Sequence, residues 1–192
     1  MITTVAAVIS AATIAVAAAA CRSCVIGIEN SCCGYSLTNP KFWMHSGYND
    51  NPLSPNVDPR SMRLCSFSKF AMEARGAAGV LTYDLQKNSA DGLNYYSSNK
   101  LIAVMFSVPF DYNFYENWLA VGIFDQTQTC DEELFNLMYY GSGTNFKRGR
   151  AKDGEIKLKI DSVEIKAAMS NEYMAILRVE VSDNCKVQNE RG

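Results

Sequence analysis

Residues 101–118 read LIAVMFSVPFDYNFYENW, and two kinds of segment meet in that stretch. Leu101 to Val108 is almost wholly apolar, as expected of a short strand buried on both faces. From Pro109 onward, Pro and Asn favour a loop. Working outward, short runs with a period of two recur. Val25 to Glu29 is a strand ended by the turn-forming pair Asn30-Ser31, and Gly79 to Asp84 is another. Trp118 to Phe124 continues in kind. Ile156, Leu158 and Ile160 alternate with Lys157 and Lys159; Ala175, Leu177, Val179 and Val181 alternate with Arg178 and Glu180. Many short strands between turn clusters predict a mainly β protein, a β-sandwich. One helix is predicted in CDEELFNLMYY, Cys130 to Tyr140. Asp131, Glu132 and Glu133 suit its positive N-terminal end, and Phe135 and Tyr139 share a face.

The loop is unusual in its aromatic content. Six of the thirteen residues from 106 to 118 are aromatic, interleaved with Pro109, Asp111, Asn113 and Asn117. A polar loop makes a poor core element, because its buried backbone lacks ladder partners. Tyr and Trp rings suit the headgroup level of a bilayer, and they form cages for quaternary ammonium groups. On pattern alone, a strand end packed beneath a loop fits as well.

Composition narrows the function classes. The chain has 192 residues, 48% apolar and 20% charged, with a net charge of −2. That is enough for one sizeable core and lacks the basic excess of a nucleic-acid binder. Lys147 to Lys159 is locally basic, read either as a lipid-phosphate contact or as a solvated strand face. Seven cysteines, at 21, 24, 32, 33, 65, 130 and 185, point to an oxidising compartment. Cys21-Arg22-Ser23-Cys24 has no second such pair, and His45 is the sole histidine, so neither a metal site nor a cofactor is expected. No GxSxG elbow or Gly-rich phosphate loop occurs, which argues against an enzyme.

Residues 1–20, MITTVAAVISAATIAVAAAA, carry no charge. A helix of that length spans about 30 Å, the thickness of a bilayer's apolar core. Three readings are open: a membrane-inserting helix, a secretory signal peptide without its basic start, and a constitutive anchor weakened by its alanines. On a helical wheel, Thr3, Ser10 and Thr13 form a hydroxyl stripe roughly opposite Ile2, Val5, Ile9, Ala12 and Val16.

The run FSVPFDYNFYENW resembles the membrane-binding segment of the actinoporins, the pore-forming cytolysins of sea anemones and relatives in other lineages. LIAVM is similar to the strand before it, ELFNLMYYG to the tyrosine-bearing helix after it, and IGIEN and GAAGVLTYD to strands upstream. The resemblance implies a β-sandwich flanked by two short α-helices, the N-terminal one detachable. It divides the chain into an inserting helix and linker at 1–23, a sandwich at 24–185 and a tail at 186–192. It also implies a secreted toxin that binds phosphocholine (sphingomyelin-type) headgroups, forms a homo-oligomer on the target cell membrane and opens a pore. A recognition module for phosphocholine lipid or glycan is the alternative. Carried over, the headgroup residues are Ser107, Pro109, Tyr115, Phe135, Tyr139, Tyr140 and Ser66 (or Ser68), and the membrane-interface residues are Tyr112, Phe114 and Trp118. Phe135 stands where the family usually has tyrosine, Phe114 where it has tryptophan, and Ala78 where it has valine. The cysteines, the absent RGD-type tripeptide and the uncharged N-terminus depart from the family pattern.

Overall fold

Alternation of apolar and polar side chains decides which face each strand buries. In the computed structural model, which describes residues 22–88 and 95–184, two six-stranded sheets bury their apolar faces against each other. The first sheet runs in the order β10 (Ile156–Ile160), β11 (Val163–Met169), β12 (Met174–Asp183), β1 (Ser23–Asn30), β5 (Ser61–Ser68) and β3 (Tyr48–Asn51). The second runs β4 (Asn56–Val57), β2 (Tyr35–Ser46), β6 (Ala77–Asn88), β7 (Tyr95–Val108), β8 (Trp118–Asp125) and β9 (Phe146–Arg150). Among the described residues only the β1–β12 pairing is parallel; the other ladders are antiparallel.

β7 sets the layering. Its even-numbered residues Ile102, Val104, Phe106 and Val108 enter the core between the sheets, with Phe67 of β5 and Leu177 of β12. Leu101, Ala103 and Met105 point the other way, into a second cluster with Leu134, Phe135 and Met138. Those three lie on the single α-helix among the described residues, α1 (Glu132–Tyr140). Asp131 caps α1 by accepting the Leu134 N–H at 3.0 Å, and Glu132 and Glu133 sit in its first turn, where acids favour helix initiation. The predicted N-terminal helix and residues 186–192 lie outside the described residues.

β2 is the strand the sequence conceals. Asn39-Pro40 reads as a turn, but the strand continues through it with a register shift between Thr38 and Lys41. Asn39 takes a left-handed φ of 51° and donates to Asp84 Oδ2 at 2.9 Å, so the bulge absorbs the proline.

Cys24, Cys32 and Cys65 are buried free thiols, Cys130 is a half-buried one, and Cys33 is disulfide-bonded. Burial pushes the Cys65 thiol up to about 12, with the nearby Asp50 carboxylate adding repulsion. The unfolded chain therefore ionises this thiol before the folded protein does. The resulting stability is fully present below the ordinary thiol value of about 8.5 and falls as pH rises toward 12. In that window Cys65→Ala is expected to flatten the loss of stability by about 1.4 kcal/mol per pH unit, checked by urea midpoints of both proteins from about pH 8 to about pH 11.

Candidate functional site

β2 ends, β6 begins and β7 ends at one pole of the second sheet. The register places Ser46 opposite Ala78, Ala78 opposite Ser107, and Ser107 opposite Trp118. The first three of these residues line a cavity of about 440 Å³ that opens at this pole. Pro109, Asp111 and Tyr115 of the following loop form one side, and Phe135, Tyr139 and Tyr140 of α1 form another. His45 and Arg75 complete the wall.

One side of the cavity is a row of rings. His45 stacks on Phe135 with centroids 5.1 Å apart and planes 6° from parallel. Phe135 stacks on Tyr139 at 5.5 Å, because residues four apart share a helix face. Tyr140 stands edge-on to Tyr139 at 4.7 Å. Burial raises the Tyr139 phenol, and a hydrogen bond with Ser107 partly offsets the shift. Arg148 donates to the Tyr139 carbonyl and lies over the Trp118 ring at 5.1 Å, supplying positive charge at the C-terminal end of α1. Arg75 is exposed at the rim. Asp111 accepts from the Asn113 N–H at 2.9 Å. The cavity thus combines π-faces, hydroxyls and both signs of charge.

The loop across residues 109–117 is pinned at its base. Asn117 is fully buried; its amide donates to the carbonyls of Ser170 at 2.9 Å and Glu172 at 3.0 Å. Its Oδ1 accepts the Tyr112 hydroxyl at 2.6 Å. Arg22 donates through Nε and Nη2 to the Phe110 carbonyl at 3.0 and 2.8 Å, with its guanidinium over the Tyr173 ring at 4.1 Å. With the base fixed, Phe114 stands 81% exposed at the tip, and Tyr140 is 71% exposed beside the cavity.

The structure therefore brings together six of the residues expected to form a headgroup site: Ser107, Pro109, Tyr115, Phe135, Tyr139 and Tyr140. It places Ser66 elsewhere. Ser66 is buried on β5 of the first sheet and donates to Asp50 Oδ1 at 2.6 Å, while Ser68 donates to Oδ2 at 2.7 Å. Both hydroxyls are committed to one carboxylate, and the serine that lines the cavity together with Ser107 is Ser46. Of the expected interface residues, Phe114 points outward. Tyr112 is half-buried, with its hydroxyl bonded to Asn117 and to the Glu172 carbonyl and its ring against Tyr173; it braces the loop. Trp118 is half-buried beside Arg148. The sequence reading missed Ser46, His45, Arg75 and Asp111 as cavity residues. His45-Ser46 directly precedes Gly47, whose φ of 85° turns the chain, but a second register shift in β2, between Met44 and Ser46, hides the pairing of Ser46 with Ala78. Half of the basic stretch is ion-paired: Arg150 with Asp153, Lys152 with Glu116 and Lys157 with Glu155.

The chain matches the family described as sea anemone cytotoxic protein over residues 7–183. It is 36% identical over 144 residues to DELTA-alicitoxin-Pse1b of Phyllodiscus semoni, covering 72% of this chain and 58% of that protein. It is 29% identical over 160 residues to Bryoporin of Physcomitrium patens, covering 83% of each, and 31% identical over 163 residues to DELTA-stichotoxin-Hcr4b of Radianthus crispa, covering 84% of this chain and 82% of that one. Among solved structures, the lipid binding protein Nakanori shares the fold, with a TM-score of 0.62 at 13% identity over 84% of this chain and 71% of that one. The chain belongs to the sea anemone cytotoxic protein family, the actinoporin-like proteins. The pinned base makes a prediction. Asn117→Ala takes the side-chain donor from the Ser170 carbonyl and leaves the Tyr112 hydroxyl and the Glu172 carbonyl with only each other. It is expected to lower stability by about 1–3 kcal/mol, seen as an earlier urea midpoint, with faster proteolysis in the 109–117 loop.

Proposed function

We propose that this protein is a secreted cytolysin that docks on phosphocholine-headed lipids such as sphingomyelin, assembles with further copies on the membrane and inserts residues 1–20 to form a pore. The observation that carries the docking step is the cavity itself. Its π-faces, from Tyr115, Tyr139 and Tyr140 over a floor of Phe135, match a quaternary ammonium, which offers no hydrogen-bond donor and is held by ring quadrupoles. The Ser46 and Ser107 hydroxyls and the Arg75 guanidinium line the same cavity and match a phosphate, for which a charged fork is the strongest neutral-pH partner. A phosphocholine headgroup carries both groups in one short unit. Phe114, at the tip of the braced loop, then enters the interface above the headgroup level, where aromatic rings partition well.

Insertion is assigned to the N-terminal run. Among the described residues no helix is long and apolar enough to cross a membrane. The uncharged run at 1–20 is long enough to span, and its Thr3, Ser10 and Thr13 stripe suits a water-filled lumen, where only the lipid-facing side must be apolar.

Two measurements test the proposal. Each good cation–π contact contributes about 0.5–2 kcal/mol, so Tyr115→Ala with Tyr139→Ala is expected to weaken binding to phosphocholine vesicles by about 10-fold or more. Unchanged co-sedimentation would refute the cage. Removing residues 1–20 is expected to abolish dye release while binding persists; release that survives the deletion refutes insertion. If the full chain binds and never releases dye, it is a recognition module.

A further inference from the structure

Beside the cavity lies a second exposed loop, residues 69–75 between β5 and β6. Met72 is 98% exposed and Phe70 is 46% exposed. Tyr48 of β3 stacks on Phe70 with centroids 5.2 Å apart. Three large apolar side chains thus form a ridge that the sandwich does not cover. The loop is continuous with the proposed docking face: its Ala74 and Arg75 line the cavity, and the Lys69 ammonium lies 5.8 Å from the Phe110 ring centroid.

The internal hydrogen bonding of this loop identifies its occupant. Lys69 turns its ammonium inward, donating to the carbonyls of Phe70 at 2.9 Å, Ala71 at 3.3 Å and Glu73 at 3.3 Å. The Glu73 N–H also returns to the Phe70 carbonyl at 3.3 Å. In water such a turn gains little from this arrangement, because solvent serves both the carbonyls and the ammonium. Where water is scarce, backbone groups must be satisfied within the chain, and one ammonium with three donors does so here. The tip from Phe70 to Met72 carries no charge. Charges of both signs border it, Lys69 before and Glu73 and Arg75 after, and both signs find partners in a zwitterionic headgroup layer.

We infer that residues 69–75 form a membrane finger that sinks Phe70 and Met72 into the interfacial layer of a phosphocholine bilayer next to the headgroup cavity, an inference that rests on the docking proposed above. The cavity selects the headgroup, and the finger adds apolar depth that is indifferent to headgroup chemistry. Moving one Phe or Met side chain out of water is worth roughly a tenfold gain in partitioning.

The test uses the full chain and vesicles of phosphatidylcholine with sphingomyelin. Phe70→Ser with Met72→Glu is expected to lower vesicle affinity by about 10- to 100-fold and to leave unchanged the affinity for soluble phosphocholine, read by NMR titration. Tyr115→Ala with Tyr139→Ala is expected to lose both. Because both finger side chains are at the surface, the urea midpoint should hold. A polarity-sensitive fluorophore on Met72→Cys should shift to the blue on adding vesicles. Unchanged vesicle affinity, or a fluorophore that stays in water while the protein is bound, overturns the finger. A blue shift that follows protein concentration without lipid makes the ridge a contact between copies and also overturns it. If the wild type binds vesicles and the tyrosine variant binds equally well, the cage fails while the finger is still judged by its own label.

Discussion

Two-sided burial of β7 is the constraint on which the rest depends. The strand can be apolar on both faces only because the first sheet covers its even-numbered residues and α1 covers Leu101, Ala103 and Met105. Each layer fixes one half of the candidate site. The inner layer sets where β7 leaves the sheet, at Val108–Pro109, and hence where the aromatic loop begins. The outer layer seats Leu134, Phe135 and Met138, and by helical periodicity turns Tyr139 toward Ser107. The site is therefore a consequence of core packing: without the second apolar cluster, the α1 rings and the strand serine would have no common frame.

Rigidity is the second feature. An exposed aromatic loop in water gains nothing from order and loses entropy by it, so fixation has to come from beneath. Asn117 supplies it by satisfying two carbonyls and a phenol from a fully buried position, and Arg22 supplies it from the start of β1 by holding the Phe110 carbonyl. A loop ordered in advance loses less on meeting a ligand. The same logic separates Tyr112 from Phe114. They are two residues apart and equally aromatic, but one braces the loop and the other projects from it.

That distinction marks the boundary of what could be read from sequence. Strands whose residues alternate or run wholly apolar, such as Leu101–Val108 and Ile156–Ile160, were legible because each records its own burial. α1 was legible through its acidic start and the spacing of Phe135 and Tyr139. β2 was not, since Asn39-Pro40 carries a turn signal that only the pairing with β6 overrides. The polar start of β7, from Tyr95 to Lys100, was hidden for a similar reason: its ladder partner, not its composition, makes it a strand. In the cavity, the aromatic residues, Ser107 and Pro109 of a dense motif were legible, while Asp111 within it was not. Ser46, His45 and Arg75 were not, because they arrive from separate strands and loops and only the register brings them in. Ser66 lies away from the cavity for the same reason: serines in a β-run say nothing about which sheet will carry them.

Phe135 shows how a local exchange redistributes a site. Its ring lies between His45 and Tyr139 with both planes nearly parallel to its own, and it is buried. A ring so placed acts as a floor: it contributes π-surface and shape, and it has no hydroxyl to offer. Hydrogen bonding in the cavity then falls on Ser46, Ser107 and the three tyrosines, Tyr115, Tyr139 and Tyr140, and the Ser107 hydroxyl already interacts with Tyr139. What is left for an anionic group is chiefly charge, and Arg75 reaches the cavity from the same loop that carries Phe70 and Met72. In the proposed docking, the residue that would meet the phosphate and the apolar ridge beside it therefore share one loop. One short segment, folded around the Lys69 ammonium, sets the position of both.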